Sequence, residues 1–402
     1  MQTTGKPIIS EGLLIIMLAA INFTHIMDFV IMAPLSPFLK EAMSINTEQF
    51  GYLVSIYTFA AAGGAILAFF NIDKYDRRTA ILFLYAGFII ANVLCALAPQ
   101  YKFFMLARLF AGLFGGVLNV LIMSVIGDVI PMERRGKATG MVMAAFSAAS
   151  VLGIPSGLIL ADLFDYHAPF WLLSVLSMLV GLTLILKFPS IRKHLEYEGP
   201  KIPPLEILKS FTMDSNILRA LLFMFLLMIA GFTVVPFISD YLVFNVGLNK
   251  DELKYVYLCG GLATVFSSIL VGKLSDKFGK VKTFVVAACI SIIPIAAVTV
   301  LPVMPLVYVL MFNVVFFMCF GARFVPAMTL MTSCVIPQRR GSFLSISSAV
   351  QQMGSGIAVL ISSTIIVNGA KGELHHFGWV GVVACTATVL SIILSIRIKE
   401  VS

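Results

Sequence analysis

The sequence predicts an all-α polytopic membrane protein: twelve transmembrane helices in two pseudosymmetric six-helix bundles. Three observations carry that expectation: an oily composition, apolar runs of bilayer length, and a one-sided distribution of basic residues. Of 402 residues, 59% are hydrophobic and 12% are charged, and the mean hydropathy is +1.00. Soluble domains carry about 25% charged residues. A water-soluble chain of this size cannot hide so much apolar surface.

A bilayer crossing needs about 20 predominantly apolar residues. Runs of that length fall at 12–39, 50–70, 79–97, 102–126, 138–160, 169–187, 217–239, 252–272, 282–301, 305–332, 342–367 and 377–396. Backbone groups in lipid must satisfy one another, so spans are helices or closed barrels. Barrel strands are short and alternate in polarity, whereas these runs are long and oily on every side. The first run is too long for a signal peptide and is read as a retained helix. One long polar interval, with Arg192, Lys193, Glu196, Glu198, Pro200, Pro203 and Pro204, divides the chain into a first bundle (1–190), a linker (191–216) and a second bundle (217–402). Leu205 to Ser210 is expected to form a short interfacial helix.

The net charge of +8 is a topology signal, because the basic residues sit in short loops. With both termini on one side, 21 of the 28 lysines and arginines fall on that side and 5 opposite. The remaining two, Arg108 and Arg323, lie inside spans. Such a bias places the termini in the cytoplasm and requires an even number of spans. The expected location is a bacterial inner membrane, with lipid as the surroundings.

The halves echo each other. Val129-Ile130-Pro131-Met132-Glu133-Arg134-Arg135-Gly136 between spans 4 and 5 matches Val335-Ile336-Pro337-Gln338-Arg339-Arg340-Gly341 between spans 10 and 11. Asp73-Lys74-Tyr75-Asp76-Arg77 precedes Asp276-Lys277-Phe278-Gly279-Lys280 by 203 residues. Repeats of this kind, packed around a midplane site, are a common plan of transporters.

Composition also limits the function. There is no GxxxxGK[ST] run, so ATP hydrolysis has no support. The six cysteines all lie in apolar stretches without a CxxC pair, which disfavours a disulfide framework or thiolate metal site. His375-His376 beside Glu373 is a weak metal pattern in an outward loop. No enzyme chemistry, cofactor, metal or nucleic-acid partner is expected.

Gly272-Lys273-Leu274-Ser275-Asp276-Lys277-Phe278-Gly279-Lys280 resembles the cytoplasmic loop signature of the major facilitator superfamily. The first-half copy departs from it: Phe69 and Asp76 replace the two glycines, while Asp73, Arg77 and Arg78 remain. Arg108-Leu109-Phe110-Ala111-Gly112 resembles the arginine-to-glycine motif of span 4. Gly153-Ile154-Pro155-Ser156-Gly157 is similar to the antiporter motif of span 5, with Ile154 separating the usual Gly-Pro pair. Asp28-Phe29-Val30-Ile31-Met32-Ala33-Pro34 resembles the first span of drug/proton antiporters and sugar-efflux relatives. The resemblance covers nearly the whole chain. It implies alternating access, a proton-coupling role for Arg108, and helix-packing roles for Gly112, Gly153, Pro155 and Gly157.

A charge at mid-span costs about 2.5–3.5 kcal/mol on insertion scales, so each one there needs a partner or a cavity. Asp28 is the candidate proton carrier. His25, three residues earlier, shares its helix face, and an arginine near Asp28 would favour the charged carboxylate. Arg323, between Gly321 and Pro326, cannot readily lose its proton and suits a substrate carboxylate or phosphate. Asn119, Asn313, Gln351 and Gln352 are candidate substrate hydrogen-bonders. Tyr57, with Phe59, Phe232 and Phe237, is a candidate cavity lining. Asp73, Arg77, Asp128, Arg134, Asp276, Lys280, Arg339 and Arg340 are candidate gate charges at the termini-bearing end, where clusters can hold one access state closed.

These residues point to a monomeric secondary transporter that exports a small organic molecule in exchange for protons. Two alternatives remain open at this stage: uptake or exchange of an organic anion at Arg323, and a non-transporting membrane sensor or assembly factor.

Overall fold

The computed structural model describes residues 9–192, 195, 203–335 and 340–401, with the side chain of Arg340 excepted. Arg339, and the side chain of Arg340, therefore lie outside the described residues, as does most of the polar linker. Twelve helices are long and apolar enough to cross a membrane: Glu11–Val30, Thr47–Lys74, Arg77–Ala96, Tyr101–Val129, Met132–Leu163, Ala168–Lys187, Ser215–Phe244, Lys250–Phe278, Lys280–Val298, Leu306–Ser333, Gly341–Ile365 and Phe377–Arg397. They are spans 1 to 12 below.

Local chemistry starts the helices where the polar loops end. The Ser10 side chain accepts the Leu13 N–H before span 1, and Asn46 forms a reciprocal capping box with Gln49 before span 2. Asp214 accepts from Asn216 and Ile217 before span 7, and Asn249 pairs with Glu252 before span 8. Each cap satisfies amides that the first helical turn leaves without partners.

Three spans are interrupted, each next to a proline. A proline lacks the N–H that would bond the carbonyl four residues back, and its ring pushes that carbonyl aside. Span 1, expected as one helix, breaks at Ile31 ahead of Pro34 and continues as the short helix Met32–Met43. Span 7 breaks after Phe232, where Pro236 opens a 3-10 turn, and continues as Ile238–Phe244. Span 5 widens into a π turn at Ala149–Gly153 just before Pro155. In that turn the helix takes one extra residue, so the Val151 carbonyl is displaced rather than clashing with the ring.

The two short continuations, Met32–Met43 and Ile238–Phe244, pack on each other at the end of the bundle away from the termini. Between spans 11 and 12 a two-stranded hairpin pairs Val367–Asn368 with Leu374–His375 at that same end. The expected interfacial helix is longer than predicted, Pro204–Met213, and packs against span 7.

The buried apolar clusters show how the halves meet. At the far end a single cluster runs through both halves, from Ile31, Leu35 and Phe50 to Phe237, Ile238 and Val359. Toward the termini each half has a large cluster of its own, with Leu14, Ile81, Phe88 and Ile122 in the first and Phe223, Phe284, Leu330 and Phe343 in the second, and a small one, Ala65, Val120 and Ala349, joins the halves. Glycines set the closest approaches between halves. A Cβ on Gly51 would lie 2.5 Å from the Cβ of Ser363, and one on Gly356 would lie 2.6 Å from Thr58 Oγ1. One on Gly261 would meet the Ser150 carbonyl, on the π turn of span 5, at 2.9 Å. Small residues let membrane helices approach this closely.

Candidate functional site

The first-half site is built on spans 1, 2 and 4. Asp28 and Arg108 are both fully buried, and Arg108 NH1 donates to Asp28 Oδ1 at 2.6 Å. Asp28 Oδ2 and Arg108 Nε have no hydrogen-bond partner among the described residues. The guanidinium lies over the Tyr57 ring, 4.2 Å from its centroid. Such stacking stabilises a desolvated cation. On its other side Tyr57 stacks on Phe29 at 5.7 Å, and its hydroxyl is 3.4 Å from His25 Nδ1. Gly112 makes this possible: a side chain there would run into the Tyr57 carbonyl of span 2. Likewise a Cβ on Gly115 would meet His25 Nδ1 at 2.9 Å.

The structure thus joins Asp28, Arg108, Tyr57 and His25 in one buried chain. Tyr57, expected as a cavity lining, is fully buried inside it. Phe29 extends the chain to the second half, meeting Phe232 of span 7 at 5.4 Å.

In the second half, Arg323 of span 10 is 2% exposed. Its NH1 donates to Thr388 Oγ1 of span 12 at 3.2 Å, and the guanidinium lies 5.3 Å from the Phe320 ring centroid. No carboxylate pairs with it among the described residues. Asn313, a candidate substrate contact, is fully buried and gives its amide to the Val309 carbonyl of its own helix. Asn119 keeps a buried Oδ1 without a partner among the described residues. Gln351 donates to Ser347 on its own helix, and both Gln351 and Gln352 are half-buried. The structure does not bring these amides together with Asp28.

At the end bearing the termini, Arg77 donates to Asp73 at 2.7 Å and to Asp128 at 2.8 Å, all within the first half. Arg134 pairs with Glu11 at 2.9 Å, also within that half. Lys280 pairs with Glu400 at 2.5 Å within the second half, and Asp276 is exposed. Among the described residues, none of these gate pairs crosses between halves. Of the glycine motif in span 5, Gly153 and Gly157 face span 1, against Met27 and Ile31 respectively.

The departure of the first-half loop from its repeat has a structural reason. Gly279 adopts φ +91°, a left-handed conformation that suits glycine. Asp76 takes φ −55°, which any residue adopts, and uses its carboxylate instead. It accepts from the Arg78 and Ile191 amides, Ser190 Oγ and Arg192 Nε. Burial alone would raise its pKa, but these hydrogen bonds outweigh burial and hold it below the ordinary carboxylate range.

Sequence reasoning missed a second buried charge site. Asp240 lies one residue past the predicted end of span 7, and Lys40 was read as a loop lysine. Both are buried. Lys40 Nζ is 3.1 Å from Asp240 Oδ2, Ser36 donates to the same oxygen at 2.6 Å, and Lys40 also donates to Thr47. Thr47 continues to Asn368 of the hairpin. The exposed pair Lys250–Glu41 bridges the halves nearby. One signal was available: Ser36 and Asp240 each follow a proline in the first span of their half, Pro34 and Pro236. They meet where the halves face each other.

Twelve apolar helices in two bundles, with buried charges at their interface, define a multi-pass membrane transporter. The sequence model of the Major Facilitator Superfamily matches residues 18–359 and 220–401, and the chain belongs to that family. It is 28% identical over 371 residues to the uncharacterized MFS-type transporter YceJ of Bacillus subtilis, with 91% of each chain covered. It is 24% identical over 267 residues to a probable sugar efflux transporter of Helicobacter acinonychis, covering 66% of each. Among solved structures, the D-xylose-proton symporter superposes with TM-score 0.78 at 14% identity, over 97% of this chain and 98% of that one. A bacterial homolog of the human lysosomal transporter Spinster gives 0.71 at 17%, over 98% and 96%. Membership makes the chain a transporter and not an enzyme, and the sensor alternative gives way.

Proposed function

We propose that the chain exports a small organic molecule in exchange for protons, by alternating access, from the cytoplasmic side of a bacterial membrane. The observation that carries this reading is the Asp28–Arg108 pair: 2.6 Å, fully buried, with one carboxylate oxygen left without a hydrogen-bond partner among the described residues. A carboxylate held by a single bond to a fixed cation has two workable states. Charged, it is neutralised by Arg108. Protonated, it releases Arg108 to other acceptors and frees span 1 from span 4. Movement of span 1 passes to the second half through Phe29 and Phe232.

The rest of the molecule supplies the two access states. The far end is closed by the shared apolar cluster and by Lys40–Asp240. Toward the termini-bearing end the large clusters and the ion pairs lie within halves, which meet through the small Ala65, Val120 and Ala349 contact. With the termini cytoplasmic, as the basic-residue bias supports, this is the state open toward the cytoplasm. The Helicobacter relatives are named probable sugar efflux transporters, which agrees with outward movement.

The test is flux in sealed proteoliposomes of a compound found by thermal-shift screening of small organic molecules. An imposed pH gradient drives its accumulation if protons are coupled. Wild-type flux indifferent to the gradient contradicts the reading.

A further inference from the structure

Among the described residues, the buried formal charges fall into matched sets with one exception. Asp28 has Arg108, Asp240 has Lys40, and Arg77 has Asp73 and Asp128. Arg323 has none. Its hydrogen-bond partner is the neutral Thr388 hydroxyl, and its flat face is covered by Phe320. A guanidinium taken out of water without a counterion costs several kcal/mol, and arginine does not escape that cost by losing its proton. A chain that pairs its other buried charges keeps this one open.

The surroundings say what would complete it. Phe320 is half-buried and also covers the bare face of Gly231 on span 7, where a Cβ would meet its ring at 2.6 Å. That same Cβ would lie 3.5 Å from Arg323 NH2. Next in sequence, Phe232 meets Phe29 across the interface between halves. A cation therefore stands beside the Phe320 ring at Gly231, on the span whose next residue, Phe232, meets Phe29 of the Asp28 site. Guanidinium recognises carboxylate through paired N–H donors, and the rings match a flat apolar body.

We propose that the cargo is an aromatic monocarboxylate, with its carboxylate on Arg323 and its ring against Phe320 and Phe232. This deepens the transport reading above and rests on it for the movement of the cargo, though not for its binding. In exchange with protons, an anion leaving and a proton entering move charge in the same electrical sense. Export of the anion is then driven by an inside-negative potential as well as by the pH gradient.

The experiment is thermal stability of the purified full chain in detergent with benzoate, phenylacetate or salicylate, each against its neutral amide. The carboxylates are expected to raise Tm and the amides to leave it unchanged. Arg323→Gln is expected to weaken the carboxylate effect roughly 10- to 100-fold, the scale of a lost hydrogen bond to a charged group, and Arg323→Lys less. Without ligand, Arg323→Gln is expected to raise Tm, because it removes an uncompensated charge. A structural arginine would instead lose Tm. Binding is read in detergent with no gradient imposed, so failure of proton coupling and failure of this site are read separately. No carboxylate shift in wild type, an equal shift with the amides, or full retention in Arg323→Gln overturns the proposal. Should Arg323→Gln not fold, Phe320→Ala serves in its place: it leaves the charge, and an unchanged carboxylate shift in it overturns the proposal too.

Discussion

Lys40 Nζ and Asp240 Oδ2 stand 3.1 Å apart, one from each half, at the end of the bundle away from the termini. Ser36 of the first half donates to the same oxygen. The pair is buried, so breaking it leaves an uncompensated charge, at a cost of about 3–5 kcal/mol. Asp240→Leu and Lys40→Met should each destabilise the far-end-closed state. The double substitution to Leu and Met should recover most of the loss, since both charges then leave together. A double-mutant cycle in thermal stability measures the coupling; additive losses would show that the two side chains do not depend on each other.

Gly51 and Gly356 permit the close contact of spans 2 and 11 at that end. Gly51→Leu inserts a side chain against Ser363 and should push the halves apart there. The expected outcome is faster labelling of a cysteine placed at Ser55, which is 2% exposed and bonds the Gly356 carbonyl. Unchanged labelling would mean that span 11 yields without opening the far end.

Asp76 predicts a pH effect on the loop between spans 2 and 3. Its folded pKa is depressed. A depressed carboxylate contributes stability that is fully present above the unfolded value of about 3.9 and is lost as pH falls through the folded value. Near neutral pH the contribution is complete. Asp76→Ala should cost about 1 kcal/mol through the lost helix cap and release the segment at 190–192, which limited proteolysis will detect. The same substitution should flatten the acid limb of the stability curve. An unaltered acid limb would assign it to other carboxylates.

Much of this was legible in the sequence for a plain reason. Crossing lipid demands length and oiliness, and both are local properties, so twelve spans could be placed without knowing what touches what. Asp28, Arg108 and Arg323 stood out because a charge within an oily run is conspicuous. Asp240 did not, since it sits at the edge of such a run, where a carboxylate looks solvated. Its burial depends on Lys40, 200 residues away, and on the break at Pro236 that turns it inward. The π turn before Pro155 and the split at Ile31 were likewise hidden, because proline announces a disturbance without saying which distortion absorbs it. Tyr57 was legible only as an aromatic in an oily run; its contacts with Arg108 and Phe29 depend on Gly112 on another helix.

The most direct test of proton coupling separates exchange from gradient-driven movement in one protein. Asp28→Asn keeps a polar group of the same shape at the Arg108 contact and removes the titratable proton site. In proteoliposomes, the account predicts that this variant still exchanges labelled for unlabelled cargo across the membrane but no longer accumulates it under an imposed pH gradient. Gradient-driven accumulation at the wild-type level in Asp28→Asn would contradict it.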